Sequence, residues 1–466
     1  MGQLRNGGCP VQRSLSRRRL IMTAAAAAAT LLPAAACAKK DGEGAGGVGY
    51  AADQPPVTID FWYMPYGGPV QDQAVVTETE EFHKAHPNIT VNPVRVPWDE
   101  ALTRLSTAST SGEGPDVTVL GTTWVAGFSS IGALRPYSIE EIAAVGGEDV
   151  FAKASWSSSH LITSSDITAM PWLIDIRALF YRTDVLQQVG LDPKAAFATW
   201  DSFETTLQKI KASDVGVAPL AIGLQNNFGI IHNVAPFIWA SGGDLIKDDG
   251  TKSMLAEPAA IDGVSYYQRL IGLYDDPKAM ALSSSDVPRA FAEGTGAITI
   301  DNSQSVAEFA SDTSRAGLKA GWSTAPMPAG KAGTFGFLGG SNLGILKTAK
   351  HPEAAFEFVR YLTGKASQQR YSVNSGLWPA RTEAIEGTKL ATEPAYAAFR
   401  EMIPHGKMYP SVSAWIIVES IIAKDLRELW SAPGALTRDQ VQAIMSKTTA
   451  DIDEALQDPT NTGITP

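Results

Sequence analysis

Val57-Thr58-Ile59-Asp60-Phe61-Trp62 opens a pattern whose repetition up to Leu120 decides the fold. Val57, Ile59 and Phe61 alternate with their neighbours and share one face of a strand. A helix-like stretch follows, roughly Val70 to His86, and His86-Pro87-Asn88 closes it. Ile89 to Val96 reads as a second strand with prolines at its exit, and Trp98 to Ser109 as a second helix. Gly112-Glu113-Gly114-Pro115 then supplies a turn before Asp116-Val117-Thr118-Val119-Leu120, a short buried strand. The order β-α-β-α-β predicts an α/β protein with an open sheet and crossover helices.

Toward the C-terminus the pattern resumes. Lys350-His351-Pro352 opens a helix whose apolar residues Ala355, Phe358, Val359 and Leu362 follow i, i+3, i+4, i+7 before Gly364 ends it. Between the two regions, about Asp175 to Phe335 has its own helices and its own strand at Ala297-Ile298-Thr299-Ile300. Two α/β lobes are therefore expected. No solenoid-length repeat is present, and no mid-chain apolar run is long enough to span a membrane.

Toward the N-terminus, Arg5, Arg13, Arg17, Arg18 and Arg19 precede an apolar run from Leu20 to Pro33 that ends in Ala34-Ala35-Ala36-Cys37. Charged n-region, short h-region and small-residue site are the parts of an export signal, expected over 1–36. The run is too short for a stable membrane span. Ser16-Arg17-Arg18-Arg19-Leu20-Ile21 fits a twin-arginine signal with Leu20 where Phe is commoner, so both the twin-arginine and the general route stay open. Small side chains before Cys37 resemble a bacterial lipobox, in which the thiol is acylated. The usual Leu three residues upstream is Ala34, which leaves ordinary cleavage as the alternative. Residues 37–55, polar and Gly-rich at first, are expected to form a flexible tether. Of the two cysteines, Cys9 would be removed with the signal, so the processed chain holds one thiol and no intramolecular disulfide.

The 466 residues are 44% hydrophobic and 19% charged, which places the chain among globular proteins of more than one domain. A net charge of −11 argues against nucleic acid as a partner. His83 and His86 stand i, i+3 on a helix with no third ligand near, so no metal site is expected. No nucleophile elbow, P-loop or zincin motif occurs, and no cofactor or catalytic residue is expected. A glycosidase needs only two carboxylates about 5–10 Å apart, so a secreted carbohydrate-active enzyme remains an alternative.

The chain resembles the extracellular solute-binding proteins of ABC importers, in the carbohydrate-binding branch that includes maltose-binding protein. Matches run in order along almost the whole processed chain. The opening strand at Val57 is followed by Gly114-Pro115-Asp116-Val117, Thr122-Thr123-Trp124-Val125 and Gly132-Ala133-Leu134-Arg135-Pro136-Tyr137. Met170-Pro171-Trp172 leads to Leu179-Phe180-Tyr181-Arg182, then come Thr199-Trp200-Asp201-Ser202-Phe203 and Ala240-Ser241-Gly242-Gly243-Asp244. The resemblance implies a periplasmic-binding-protein-like fold, with two lobes joined by a hinge and a sugar bound in the cleft between them. It puts chain crossings near Pro171 to Asp175, near Phe335 to Ser341, and after Leu377-Trp378-Pro379-Ala380-Arg381. Lobe 1 is then 57–172 plus 342–382, and lobe 2 is 173–341 plus 383–466. The implied partners are a carbohydrate and the permease subunits of the importer, with the chain itself monomeric at the outer face of the cell membrane. A non-sugar solute is the other alternative.

Sugars present hydroxyl edges and C–H faces, so their sites pair planar polar side chains with aromatic rings. Trp415 opens a helix whose counterpart in maltose-binding protein carries a stacking Trp, the competing role being a core Trp. Trp62 and Tyr66 lie at the end of the first strand and in the loop after it, and Thr123 and Trp124 follow a short strand in the same way, where open α/β sheets place ligands; for Trp62 and Tyr66 loop anchoring is the competing role. Asp175 and Arg177 lie past the first crossing, either as an ion pair or as hydroxyl partners. Asn226 and Asn227 are turn formers or ligands, and Trp239 and Asp244 flank glycines, Gly243 among them, that permit close backbone approach to the cleft. Asp301 and Asn302 end a strand where the family often has Gly-Trp, which puts the usual stacking contact there in doubt. Gly340, Ser341 and Asn342 offer polar groups at the second crossing, and Trp378 either faces the cleft or packs the third.

Overall fold

The computed structural model describes residues 49–464, apart from 67, 223–226, 277, 279–281, 283–285 and 459. The export signal, Cys9, Cys37 and Asn226 lie outside the described residues, as does the side chain of Asn227. Ala51 and Gln54, within the expected tether, accept hydrogen bonds from Asn88 Nδ2 at 2.9 and 3.4 Å, so ordered structure begins before Val57.

Strands β1 (Val57–Tyr63), β2 (Ile89–Arg95) and β3 (Val117–Gly121) form as their alternation predicts, and β1 pairs parallel to both of the others. The helices Pro69–Ala85 and Trp98–Ser111 cross between them. Gly112 at φ 74° ends the second of these, a left-handed conformation that glycine adopts without a Cβ clash. The remaining strands are β4 (Ala169–Arg182), β5 (Ala218–Leu220), β6 (Gly296–Asn302), β7 (Trp322–Ala325), β8 (Gly336–Ile345), β9 (Trp378–Pro379) and β10 (Gly406–Lys407). The main path runs β2-β1-β3-β8-β4-β6-β5.

Two lobes arise because β4 and β8 are long enough to serve two groups of strands. The first part of β4 pairs antiparallel with β8, from Ala169 opposite Gly344 to Ile176 opposite Leu338. From Arg177 onward, β4 pairs instead with β6 and β7. The far end of β8 pairs with β3. β9 lies on the other edge of β4, Leu173 opposite Pro379 and Ile174 opposite Trp378. β4, β8 and β9, the strands on which the crossings are expected, therefore meet in one seam. Gln368 locks it, donating from Nε2 to the Trp172 carbonyl at 2.6 Å and accepting from Arg381 N at 3.0 Å. Gly340 sits in the seam at φ 137°, where a Cβ would overlap the Leu173 carbonyl, so only glycine lets β8 lie this close to β4.

Apolar burial then fixes each lobe. Trp172 packs against Tyr371 with centroids 4.7 Å apart and edge-on to Phe61 at 6.2 Å. Truncating a ring of this kind to Ala costs about 3–5 kcal/mol. The helices Pro352–Leu362 and Lys365–Ser375 pack on Pro69–Ala85, whereas the C-terminal helices Trp415–Trp430 and Arg438–Gln457 pack on Asn227–Ala240 and Pro258–Tyr274. Among the described residues, no helix is long and apolar enough to cross a membrane.

Candidate functional site

The seam carries the most unusual chemistry of the described residues. Asp175 and Arg177, two residues apart on β4, point to the same side of the strand and are 4% and 8% exposed. Arg177 Nη2 donates to Asp175 Oδ2 at 3.3 Å, and its Nη1 donates to Asn233 Oδ1 at 2.7 Å. Asp175 Oδ1 and Arg177 Nε have no hydrogen-bond partner. Burial raises the Asp175 carboxyl above its ordinary range, and Arg177 partly offsets that. Asp301 comes in through β6, whose Asn302 stands opposite Arg177. Its carboxylate accepts from Ser305 Oγ at 2.6 Å and Asn302 N at 2.8 Å, and burial still pushes its pKa up to about 6. Two buried carboxylates thus share one guanidinium.

Aromatic rings close this polar centre. The helix Asn227–Ala240 contributes His232, beside Asn233, and the His232 ring stacks on Phe337 with centroids 3.8 Å apart. Burial, reinforced by the charge of Arg177, holds His232 neutral, well below its usual pKa. His232 Nδ1 lies 3.1 Å from the Tyr409 hydroxyl, and the Tyr409 ring stacks on Trp415 at 4.4 Å. From the first lobe, Tyr66 reaches the seam, its hydroxyl 2.9 Å from Ser341 Oγ. A pocket opens here between Thr122, Thr123 and Ser158 on one side and Tyr409, Ser411 and Trp415 on the other. It has space for about one water molecule. Its rim is latched: Gly68 N donates to Glu308 Oε1 at 3.1 Å, and Ser411 Oγ donates to the His160 carbonyl at 2.7 Å.

The structure gathers Tyr66, Thr123, Asp175, Arg177, Asp301, Asn302, Gly340, Ser341 and Trp415 around this seam. Trp239 lies at its edge, 5.7 Å from the Tyr409 ring. Trp239 Nε1 donates to Asp244 Oδ1 at 2.8 Å, and Lys407 is ion-paired to the same carboxylate. Gly243 faces the start of the Pro258–Tyr274 helix, where a Cβ would meet the backbone of Ala260, so its close approach serves helix packing and not the cleft. Asn342 Nδ2 donates to Ser158 Oγ at 2.9 Å, a contact that pins β8 to the first lobe. Trp378 pairs with β4 in the third crossing. Trp62 carries the Arg104 guanidinium over its ring at 5.0 Å, and Trp124 packs edge-on to Trp98 at 5.4 Å. Trp98 in turn meets Tyr66 at 5.6 Å, so Trp124 reaches the seam through a second ring.

Sequence reasoning missed His232, Asn233, Phe337 and Tyr409. One signal was available: His232-Asn233 is a polar pair inside Ile230-Ile231 and Val234-Ala235, on a helix otherwise apolar. It also missed Glu419, one turn beyond Trp415, which is 1% exposed with neither carboxylate oxygen hydrogen-bonded. Burial raises its pKa from 4.5 to about 8.

A sheet shared by two lobes, three crossings in one seam and a polar, aromatic-walled cleft on that seam define a two-lobed binding protein that closes over a small solute. Residues 67–369 match the bacterial extracellular solute-binding protein family, and the chain belongs to it. The diacetylchitobiose binding protein of Streptomyces coelicolor is 25% identical over 386 residues, covering 82% of this chain and 85% of that protein. The GacH receptor of Streptomyces glaucescens, solved unliganded and with acarbose, has a TM-score of 0.73 at 23% identity, covering 87% of this chain and 100% of its own. UgpB from Mycobacterium tuberculosis, solved with glycerophosphocholine, has a TM-score of 0.71 at 21% identity, covering 88% and 100%. At these identities the two structures establish the likeness of the fold.

Proposed function

We propose that this protein captures a carbohydrate in the cleft and delivers it, as the closed form, to the permease subunits of an ABC importer. The observation that carries the reading is the Asp175–Arg177–Asp301 group, buried against aromatic rings at the seam. Asp175 Oδ1 accepts and Arg177 Nε donates, and neither has a partner within the protein. Neighbouring hydroxyls of a sugar satisfy both at once, and the rings take its C–H faces. Two carboxylates against one guanidinium also disfavour an anionic solute such as the phosphodiester bound by UgpB. The relative that binds diacetylchitobiose and the neighbour solved with acarbose point the same way.

On this reading the chain acts as a monomer and without catalysis. Its lobes are 57–172 with 342–382 and 173–341 with 383–466, a division supported by which helices pack on which strands. Export through the N-terminal signal leaves the protein anchored by an acylated Cys37.

Titration of the processed protein with maltose, maltotriose, diacetylchitobiose, acarbose and glycerophosphocholine, followed by calorimetry and thermal melting, tests the proposal. At least one carbohydrate is expected to bind saturably and raise the melting temperature, with its reducing ends unchanged after prolonged incubation. Binding of glycerophosphocholine alone, or of no carbohydrate, sinks it.

A further inference from the structure

Gly127 lies buried in the short helix Val125–Ser130, one turn beyond Thr123, which lines the pocket. A Cβ on Gly127 would stand 3.0 Å from Ile416 Cδ1, 3.4 Å from Ile464 Cδ1 and 3.5 Å from the Ser413 carbonyl, three groups of the C-terminal part of the chain. Ile416 follows Trp415, which lines the pocket from the opposite side, so this contact borders the cleft. Ile464 is brought there by a built turn. After the helix Arg438–Gln457, Asp458 Oδ1 accepts from Thr460 N at 2.9 Å and from its hydroxyl at 2.6 Å, and Asn461 N donates to the Asp458 carbonyl at 3.0 Å. The chain then lies against the first turn of the Trp415–Trp430 helix. Thr462 is buried, and Gly463, at φ 74°, is so close that a Cβ would stand 2.8 Å from Ile416 Cγ2 and 3.1 Å from Ile417 Cγ1. Ile464 N donates to Thr462 Oγ1 at 3.3 Å, and the Ile464 side chain is partly buried against the core. Ser411 adds a polar contact between the same parts of the chain, accepting at its carbonyl from Ile162 N at 2.9 Å and donating to the His160 carbonyl.

Resting on the lobe division and the solute capture proposed above, we propose that Thr462–Ile464 is a clasp carried on the second lobe, which sets Ile464 beside Ile416 against Gly127 of the first lobe and slows release of a bound solute. The missing side chain at Gly127 lets both isoleucines reach the helix. The hydrogen bonds of the turn close within the tail, and Gly463 rests on the helix of its own lobe, so the tail stays with the second lobe when the lobes part. Opening then exposes the apolar contact at Gly127. A half-buried Ile that gives up this contact favours the closed form by about three- to fivefold.

The experiment uses the processed protein and its Ile464→Ser, Gly127→Leu and Gly127→Ala variants. Small-angle scattering reads the ratio of compact to open forms with and without solute, and stopped-flow displacement reads release of maltose, maltotriose, diacetylchitobiose and acarbose. Ile464→Ser is expected to lower the ratio in the free protein and to speed release of the tightest probe, each by about three- to fivefold, with association changed by less than about twofold. Gly127→Leu, whose side chain collides with both isoleucines, shifts both readouts further the same way. Gly127→Ala, which needs only the tip of Ile416 to move, stays near the parent. Thermal melts within about 2 °C of the parent separate loss of the clasp from loss of the fold. A parent with no compact form, with or without solute, overturns the clasp, as does an Ile464→Ser protein with the parent's ratio and release rate. Silence of the parent toward all four probes defeats the carbohydrate reading, and scattering of the free parent and its variants then decides the clasp.

Discussion

Replacing Glu419 by Gln stabilises the protein at pH 8 and leaves it unchanged near pH 4.5. The carboxyl lies inside the Trp415–Trp430 helix packing, and neither oxygen has a partner to compensate for lost water. Its pKa is 4.5 in the unfolded chain and about 8 in the fold. Between these values the native state holds a proton that the unfolded state has released, so stability falls as pH rises. The contribution is fully present below pH 4.5 and is lost as pH passes through about 8. Linkage over this interval gives about 3 kcal/mol lost at pH 7 and about 4 at pH 8. Gln keeps the shape and carries no ionisable proton, so it removes that loss. For a unit the size of Gly47–Pro466, unfolding entropy converts each kcal/mol into about 1 °C. Paired thermal melts from pH 4.5 to 8.5 should show a gap between Glu419→Gln and the parent that opens with pH to about 3–4 °C. Asp275 and Asp301 titrate too, but they are common to both proteins and cancel in the difference. A pH-independent gap, or destabilisation at pH 8, refutes the reasoning.

Four further substitutions probe the seam and the anchor. Gly340→Ala forces a Cβ onto the Leu173 carbonyl at φ 137°, and strain plus overlap should cost about 3 kcal/mol or more, read by denaturant unfolding. Arg177→Met leaves two buried carboxylates without their countercharge and should cost about 3–5 kcal/mol while abolishing ligand binding. Adding Asp175→Asn should restore part of that stability but not the binding, and strict additivity of the two changes would show that the pair is not coupled. Cys37→Ser should lose labelled palmitate and release the protein from cells, whereas unchanged membrane retention would refute the anchor.

Much of the first lobe was legible in sequence because its signals are local. Val57, Ile59 and Phe61 repeat with the period of a strand, and the helices joining β1 to β2 and β3 follow directly in the chain. The crossings came from the resemblance alone, since Gly339-Gly340 lies within β8 and Trp378-Pro379 forms β9, with no break in regular structure to mark either. For Gly243 and Asp244 the local sequence offers a glycine turn that lets the backbone approach the cleft. That the glycine admits a helix backbone, and that Lys407 holds the aspartate, depends on partners far along the chain.

The sequence by itself determined the two-lobed α/β architecture, because strand periodicity, helix caps and turn glycines act over a few residues. Only the tertiary structure decided the wall of the cleft. His232 and Tyr409 are 177 positions apart, and neither carries a local sign that it will meet the other beneath Arg177. Stacking and burial of charge depend on which surfaces the seam brings face to face, and no short-range pattern encodes that juxtaposition.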